Sequence, residues 1–356
     1  MSTNNEEYIK GRGAQVNPHN RFEKTRKVQE HIEGLDEAEG LEGKTKFIDI
    51  HPKTIVNKVT SPDIGLAYSM NPYQGCEHGC TYCYARPTHE YWGYSAGIDF
   101  EKTILVKKKA AELLEQTFQK KNWEPKPIML SGNTDCYQPC ESKYEITREL
   151  LKVFLKYRHP VSIITKNALI TRDLDILSEL AKLNLVNVSL SVTTLNEDLR
   201  RALEPRTATA KRKLETIESL TANNIPVNVM MAPIIPGLND HEIFSIVKEV
   251  SKRGAISAYY TVVRLQGPNQ QIFTDWVIKN FPDRALKVLN QISEIHGEQL
   301  GDSRFGTRIK GEGNFALNIK RQFELARKRF LGNTSFPRLR TDLFERPSKD
   351  GQMSLF

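Results

Sequence analysis

The sequence predicts an α/β protein built as a partial (β/α)6 TIM-like barrel, with a mobile N-terminal extension and a basic helical C-terminal extension. Three observations carry this. Short β-rich runs recur along the chain, stretches with helical spacing of apolar residues separate them, and this texture fills residues 66–300 between polar, charged ends. Strands alternating with helices imply parallel βα units. Six strands fall short of the eight-unit barrel of ~250 residues, while a doubly wound sheet shares the same alternation.

Residues 1–45 hold few large apolar side chains and many charges, so they read as mobile or loosely draped, within an extension reaching residue 65. A first strand ends ahead of Cys76. Further strands are predicted at Pro127–Leu130, Val161–Thr165, Val186–Val192, Pro226–Met231 and Ile256–Val263. In 143–157, Ile146, Leu150, Leu151, Phe154 and Leu155 share one helical face, as do Leu174, Leu177, Leu180 and Ala181 in 171–183. Asn239 followed by Glu242 predicts a helix start with a capping pair. In the extension 301–356, residues 312–331 read as one amphipathic basic helix, and the terminal residues read as extended.

The chain has 356 residues, 39% of them apolar and 26% charged, enough for a substantial core. No apolar run approaches the ~18 residues of a membrane span, and the first twenty residues lack the apolar stretch of a secretory signal. The expectation is a cytoplasmic protein without a membrane partner. The five cysteines, Cys76, Cys80, Cys83, Cys136 and Cys140, are odd in number and crowded together, unlike a disulfide framework. A reducing compartment and a metal site fit them better. The net charge is +8, and from residue 301 twelve Lys and Arg stand against six acids. Such a tail suits a polyanion such as nucleic acid; a solvated helix surface accounts for it equally well.

The most informative stretch is Asn71-Pro-Tyr-Gln-Gly-Cys76-Glu-His-Gly-Cys80-Thr-Tyr-Cys83-Tyr-Ala85. Three thiols at spacings of four and three residues can curl around one side of a cubane, and thiolate is the soft ligand iron–sulfur clusters require. No fourth cysteine lies in the loop, which leaves one iron open to a chelating amine and carboxylate. Gly75 and Gly79 let the backbone turn tightly. The competing reading is a zinc site, with His78, His89 or Cys136 as fourth ligand.

This C-x3-C-x2-C pattern, with Tyr82 just before the third cysteine, resembles the signature of the radical S-adenosylmethionine superfamily. The resemblance implies a [4Fe–4S] cluster on Cys76, Cys80 and Cys83. The cluster reductively cleaves S-adenosylmethionine to a 5′-deoxyadenosyl radical that abstracts hydrogen from substrate. It also implies an electron donor of flavodoxin or ferredoxin type. By the same resemblance, Tyr82 belongs to the cofactor site, and Ser131, Asn133, Thr134 and Asp135 are candidates for the methionine amine, against an ordinary strand-to-helix turn. Lys166, ending the third strand, is a candidate for the cofactor carboxylate. On the fourth strand, period two puts Ser189, Ser191 and Thr193 on one face, where Ser191 or Thr193 would meet the ribose. Leu203-Glu204-Pro205-Arg206 is a candidate to close the pocket, and Ile234 lies in the segment resembling the adenine contact.

Gly11-Arg-Gly-Ala14, Asn17-Pro, Asn20-Arg-Phe-Glu23, Asn133-Thr-Asp135 and Pro233-Ile-Ile-Pro-Gly237 resemble the spore photoproduct lyase-related branch, predicted DNA repair radical proteins. The lyase uses a cysteine near the second strand to return a hydrogen atom. Here the turn reads Gly132-Asn133-Thr134-Asp135 and the thiols follow it, so Cys136 and Cys140 are the catalytic candidates, with a buried apolar role as the alternative. The terminal Gln352-Met353-Ser354-Leu355-Phe356 resembles a sliding-clamp-binding peptide, with Gln352, Leu355 and Phe356 as anchors. Radical chemistry on a protein or small molecule, and a non-catalytic iron–sulfur or zinc module, are the alternatives to a nucleic-acid enzyme.

Overall fold

The computed structural model describes residues 8–23, 44–332, 334 and 336–347. Its ten strands are β1 (Lys46–Asp49), β2 (Val56–Lys58), β3 (Tyr68–Met70), β4 (Tyr73–Gln74), β5 (Thr103–Val106), β6 (Ile128–Leu130), β7 (Val161–Thr165), β8 (Val186–Ser191), β9 (Val227–Ile234) and β10 (Ser257–Val262). The main sheet runs β10-β9-β8-β7-β6-β3-β2, and a small sheet runs β1-β5-β4. In the main sheet only β2 is antiparallel to its neighbour. The six parallel strands therefore lie in chain order. A doubly wound sheet reverses direction at a switch point, and no reversal occurs here. β3 and β10 do not pair, so the barrel is partial, as predicted.

Alternation explains the two faces. Val186, Val188, Leu190 and Val192 of the β8 run enter the main hydrophobic core together with Ile146, Leu150, Leu151 and Phe154 of the helix Ile146–Lys156 and Leu177 and Leu180 of the helix Leu174–Lys182. The residues between them face the barrel interior. There Asn228 donates to Ser189 Oγ (3.1 Å) and accepts from Ser257 Oγ (2.9 Å), a polar row across three strands.

The open side is spanned by the segment after the last core helix. Val262 N donates to Ile309 O (2.9 Å), and Arg308 pairs with Asp63 (2.6 Å), beyond β2. The basic helix forms as Gly313–Phe330, with Ala316, Ile319, Phe323 and Ala326 buried. Residues 336–347 then cross the amino-terminal end of the barrel. Arg340 N donates to Asn184 O (3.0 Å), Glu345 N to Tyr157 O (3.2 Å), and Arg346 Nε to Phe118 O (2.9 Å).

Two expectations are corrected. Asn239 does not cap a helix with Glu242. Its Oδ1 accepts from Ile235 N (2.6 Å) and its Nδ2 donates to Thr193 O (2.8 Å), while Glu242 binds Thr194 and Leu195 across the barrel mouth. A longer-range loop clamp has used the groups a capping box needs. Residues 8–23 are not loosely draped, because Arg12, Ala14 and Asn20 are buried against the core. The terminal peptide with Gln352, Leu355 and Phe356 lies outside the described residues.

Candidate active site

The cysteine loop follows β3 and β4 at the carboxyl edge, and it is held from below by groups distant in sequence. Arg86, fully buried, donates from Nε to Cys80 O (2.9 Å) and pairs with Glu101 (2.5 Å). Glu101 also accepts from Gly13 N (3.1 Å) and Ala14 N (2.8 Å), which seats the N-terminal Gly-Arg-Gly-Ala run beneath the loop. Any side chain at Gly13 would collide with Gly79 O, since a Cβ there would lie 1.7 Å away. Gly79 itself has φ near +68°, a left-handed conformation suited to glycine. Cys76 N donates to Phe100 O (2.8 Å), and Asn269 Nδ2 to Cys83 O (2.9 Å).

All five cysteines are free. Cys83 packs against the two buried clusters that contain Cys76 and Cys80, and the three loop thiols lie near enough to act on one another electrostatically. Burial pushes each of these thiols up, and their mutual repulsion raises Cys76 and Cys80 further. Three soft donors crowded in a buried pocket ionise readily only beside added positive charge. This donor set fits three irons of a cubane. Among the described residues no three His, Cys, Asp or Glu side chains converge on a single metal ion. His78 is committed: Asn167 Nδ2 donates to its Nε2 (3.2 Å), leaving Nδ1–H for Asp135 Oδ2 (3.3 Å). His89 lies buried, stacked on Tyr94, and Cys136 lies in the main core.

Beside the loop the structure assembles a polar hub that sequence reasoning only brushed. Glu204, fully buried, accepts from the Tyr82 hydroxyl, from Thr193 Oγ1 (2.6 Å) and from Lys213 Nζ (3.0 Å). Burial pushes its carboxyl up, but Lys213 and Lys166 outweigh this and hold it well below the ordinary range. Lys166 lies 5.9 Å from the centre of the Tyr82 ring and has no hydrogen bond or ion pair from Nζ among the described residues. Burial opposes its charge, while Glu204, Cys80 and Asp135 favour it more strongly, so it stays a cation. An uncommitted ammonium beside the motif tyrosine suits a carboxylate ligand.

The turn after β6 is braced internally. Thr134 Oγ1 donates to Tyr73 O (2.6 Å), Ser131 Oγ accepts from Cys136 N (2.5 Å), and Asn133 Nδ2 reaches Thr88 Oγ1 (3.3 Å). Asp135 accepts from Thr165 Oγ1 (2.7 Å), Lys166 N (2.8 Å) and His78. Thr134 and Asp135 thus tie the turn to β7 and to the cysteine loop. Ser191 is buried on the inward face of β8, whereas the Thr193 hydroxyl is spent on Glu204. Ile234 is fully buried in the core at the end of β9. Cys136 is fully buried and Cys140 nearly so, and burial pushes both thiols well up, keeping them as S–H.

The sequence profile described as the radical SAM superfamily matches residues 70–250, from β3 through the helix Ile243–Lys252. The chain belongs to the radical SAM superfamily. It is 30% identical to an uncharacterized protein of Mycobacterium tuberculosis over 67% of this chain and 71% of that one. It is 28% identical to an uncharacterized protein of Methanocaldococcus jannaschii over 70% of this chain and 90% of that one. In structure it resembles spore photoproduct lyase complexed with dinucleoside spore photoproduct, with TM-score 0.60, 14% identity, and 85% and 86% of the two chains covered. That likeness establishes the fold.

This radical SAM protein is therefore an enzyme whose cofactors are a [4Fe–4S] cluster and S-adenosylmethionine. Together they supply one-electron cleavage of the sulfonium, releasing methionine and a 5′-deoxyadenosyl radical. An external electron donor is required. No helix among the described residues is long and apolar enough to cross a membrane.

Proposed function

We propose that this radical SAM enzyme acts on nucleic acid, at a damaged base in DNA repair. The observation that carries the reading is Tyr84. It follows Cys83 directly, is 55% exposed, and has its hydroxyl fixed on Gly132 O (2.6 Å). A rigid aromatic face beside the site of radical release suits a stacked base. Shared fold over most of the chain with a lyase solved with dinucleoside spore photoproduct supports the same class of substrate. The basic C-terminal helix gives weaker support. Arg321, Lys328 and Arg329 are exposed without ion pairs among the described residues, but Arg304, Arg308 and Arg340 are spent on acids.

Within the site, Lys166 receives the methionine carboxylate, the turn Ser131–Asp135 its amine, Ser191 the ribose and Ile234 the adenine edge. Cys136 or Cys140 returns a hydrogen atom. The electron donor is of flavodoxin or ferredoxin type, the compartment is the reducing cytoplasm, and the terminal Gln352–Phe356 peptide holds a sliding clamp. The test is anaerobic turnover of the reconstituted enzyme with ultraviolet-irradiated DNA, undamaged DNA and tRNA in parallel. Irradiated DNA is expected to raise 5′-deoxyadenosine formation several-fold over enzyme alone. Equal yields with and without every nucleic acid overturn the reading.

A further inference from the structure

We propose that Arg264 receives a phosphodiester oxygen of the substrate at the mouth of the barrel, an inference that rests on the nucleic-acid reading above. Arg264 lies two residues past the end of β10, on the carboxyl edge. Its backbone neighbours are pinned: Val263 N donates to Ile234 O (2.9 Å), Leu265 N to Leu300 O (2.8 Å), and His296 Nε2 donates to Val263 O (2.7 Å). The side chain is only partly exposed, and its Nη1 is shut off from solvent without any hydrogen-bond partner among the described residues.

A guanidinium stays charged at any physiological pH, so an unanswered N–H of this kind costs free energy. The acids in reach do not answer it. Asp63 is occupied by Arg308 Nε (2.6 Å) and Gly306 N (2.9 Å). Asp302 is occupied by Arg304 and by Thr307 Oγ1 (2.9 Å). Arg308 adds repulsion, and the other ionisable neighbours are His296 and Tyr84, the exposed tyrosine beside the cysteine loop. The missing partner is thus an anion from outside the chain, received near the Tyr84 side chain. A nucleotide offers both, a base to stack and a phosphate to accept from the guanidinium fork. The methionine carboxylate is a poorer match, because Lys166, just past the end of β7 three strands away, already stands beside Tyr82 without a hydrogen-bond or ion-pair partner among the described residues.

The test uses the reconstituted holoenzyme and two thymidine dinucleotides, one with the natural phosphodiester and one with an uncharged methylphosphonate linkage. The wild type is expected to bind the diester about tenfold more tightly, the worth of one charge-assisted hydrogen bond. Arg264→Gln is expected to bind both with the weaker affinity while its affinity for S-adenosylmethionine is unchanged. Equal binding of both by the wild type, or a preference that survives in Arg264→Gln, overturns the assignment and leaves the nucleic-acid reading standing. So does a variant whose loss is in S-adenosylmethionine affinity instead. Binding of neither dinucleotide, together with no response to irradiated DNA, overturns both. Should Arg264→Gln fail to load its cluster, the wild-type comparison decides alone, with Arg264→Lys expected to keep most of the preference.

Discussion

At the scale of single residues, the site depends on a few buried groups whose partners are far apart in the chain. Glu204 and Lys213 are both essentially solvent-free. Removing one partner strands the other charge in the interior, which costs about 3–5 kcal/mol. Glu204→Ala is therefore expected to lower unfolding free energy by that order in chemical denaturation, and Glu204→Ala/Lys213→Met to recover much of it. The cysteines divide by environment. Cys76→Ala, Cys80→Ala and Cys83→Ala should each abolish cluster absorbance and reduce 5′-deoxyadenosine at least ~100-fold. Cys136→Ala, in the main core, should keep iron and sulfide content at a cost of about 1–2 kcal/mol of stability. Iron lost from the Cys136 variant would reassign the ligand set.

At the scale of elements, the extended run 336–347 seals the amino-terminal end of the barrel. Phe344 packs on Phe118, Tyr157 and His159, and His159 stacks on Phe118 with ring centres 4.3 Å apart. Burial among these rings pulls the His159 imidazole down to about 3, and burial likewise pulls His89 down to about 4. The unfolded chain takes up these protons from pH 6.5 downward, while the folded one refuses them. Stability is therefore complete above pH 6.5 and falls as pH drops toward the folded values. His159→Phe is expected to flatten this decline by on the order of 3 kcal/mol between pH 6.5 and 4, read from denaturation midpoints. An unchanged pH profile would show that His159 charges in the folded state.

At the scale of the whole molecule, the open side of the barrel is bridged by the segment Gly301–Lys310, held at Asp63 through Arg308 and Gly306. This pair is mostly buried, at 15% and 11% exposure, so its loss cannot be made good by water. Asp63→Ala should speed amide exchange at Gly306 while leaving the amides of β7 and β8 protected. Faster exchange throughout would mean that the bridge supports the barrel itself. The bridge also keeps the nearby acids from Arg264, since Asp63 and Asp302 are both committed within it.

The sequence by itself determined the cysteine loop and the parallel βα alternation, while the strand order that makes it a barrel and not a doubly wound sheet was decided by the tertiary structure. The loop and the alternation are written in short spacings: thiols four and three residues apart, and apolar periods that change from two to about 3.6. β7 was legible to the residue because Val161–Thr165 is a short β-rich run, with Val161, Ile163 and Ile164 apolar, bounded by Pro160 and Lys166. Only the tertiary structure decided which groups answer which. Tyr82 meets Glu204 across 122 positions, and Cys83 meets Asn269 across 186. Asn239 and Glu242 carry the letters of a capping pair, yet loops from neighbouring strands compete for the same atoms and win. The N-terminal run looked too polar to pack because its anchors are hydrogen bonds to Glu101, and a polar residue's value as an anchor depends on a buried partner no local window contains.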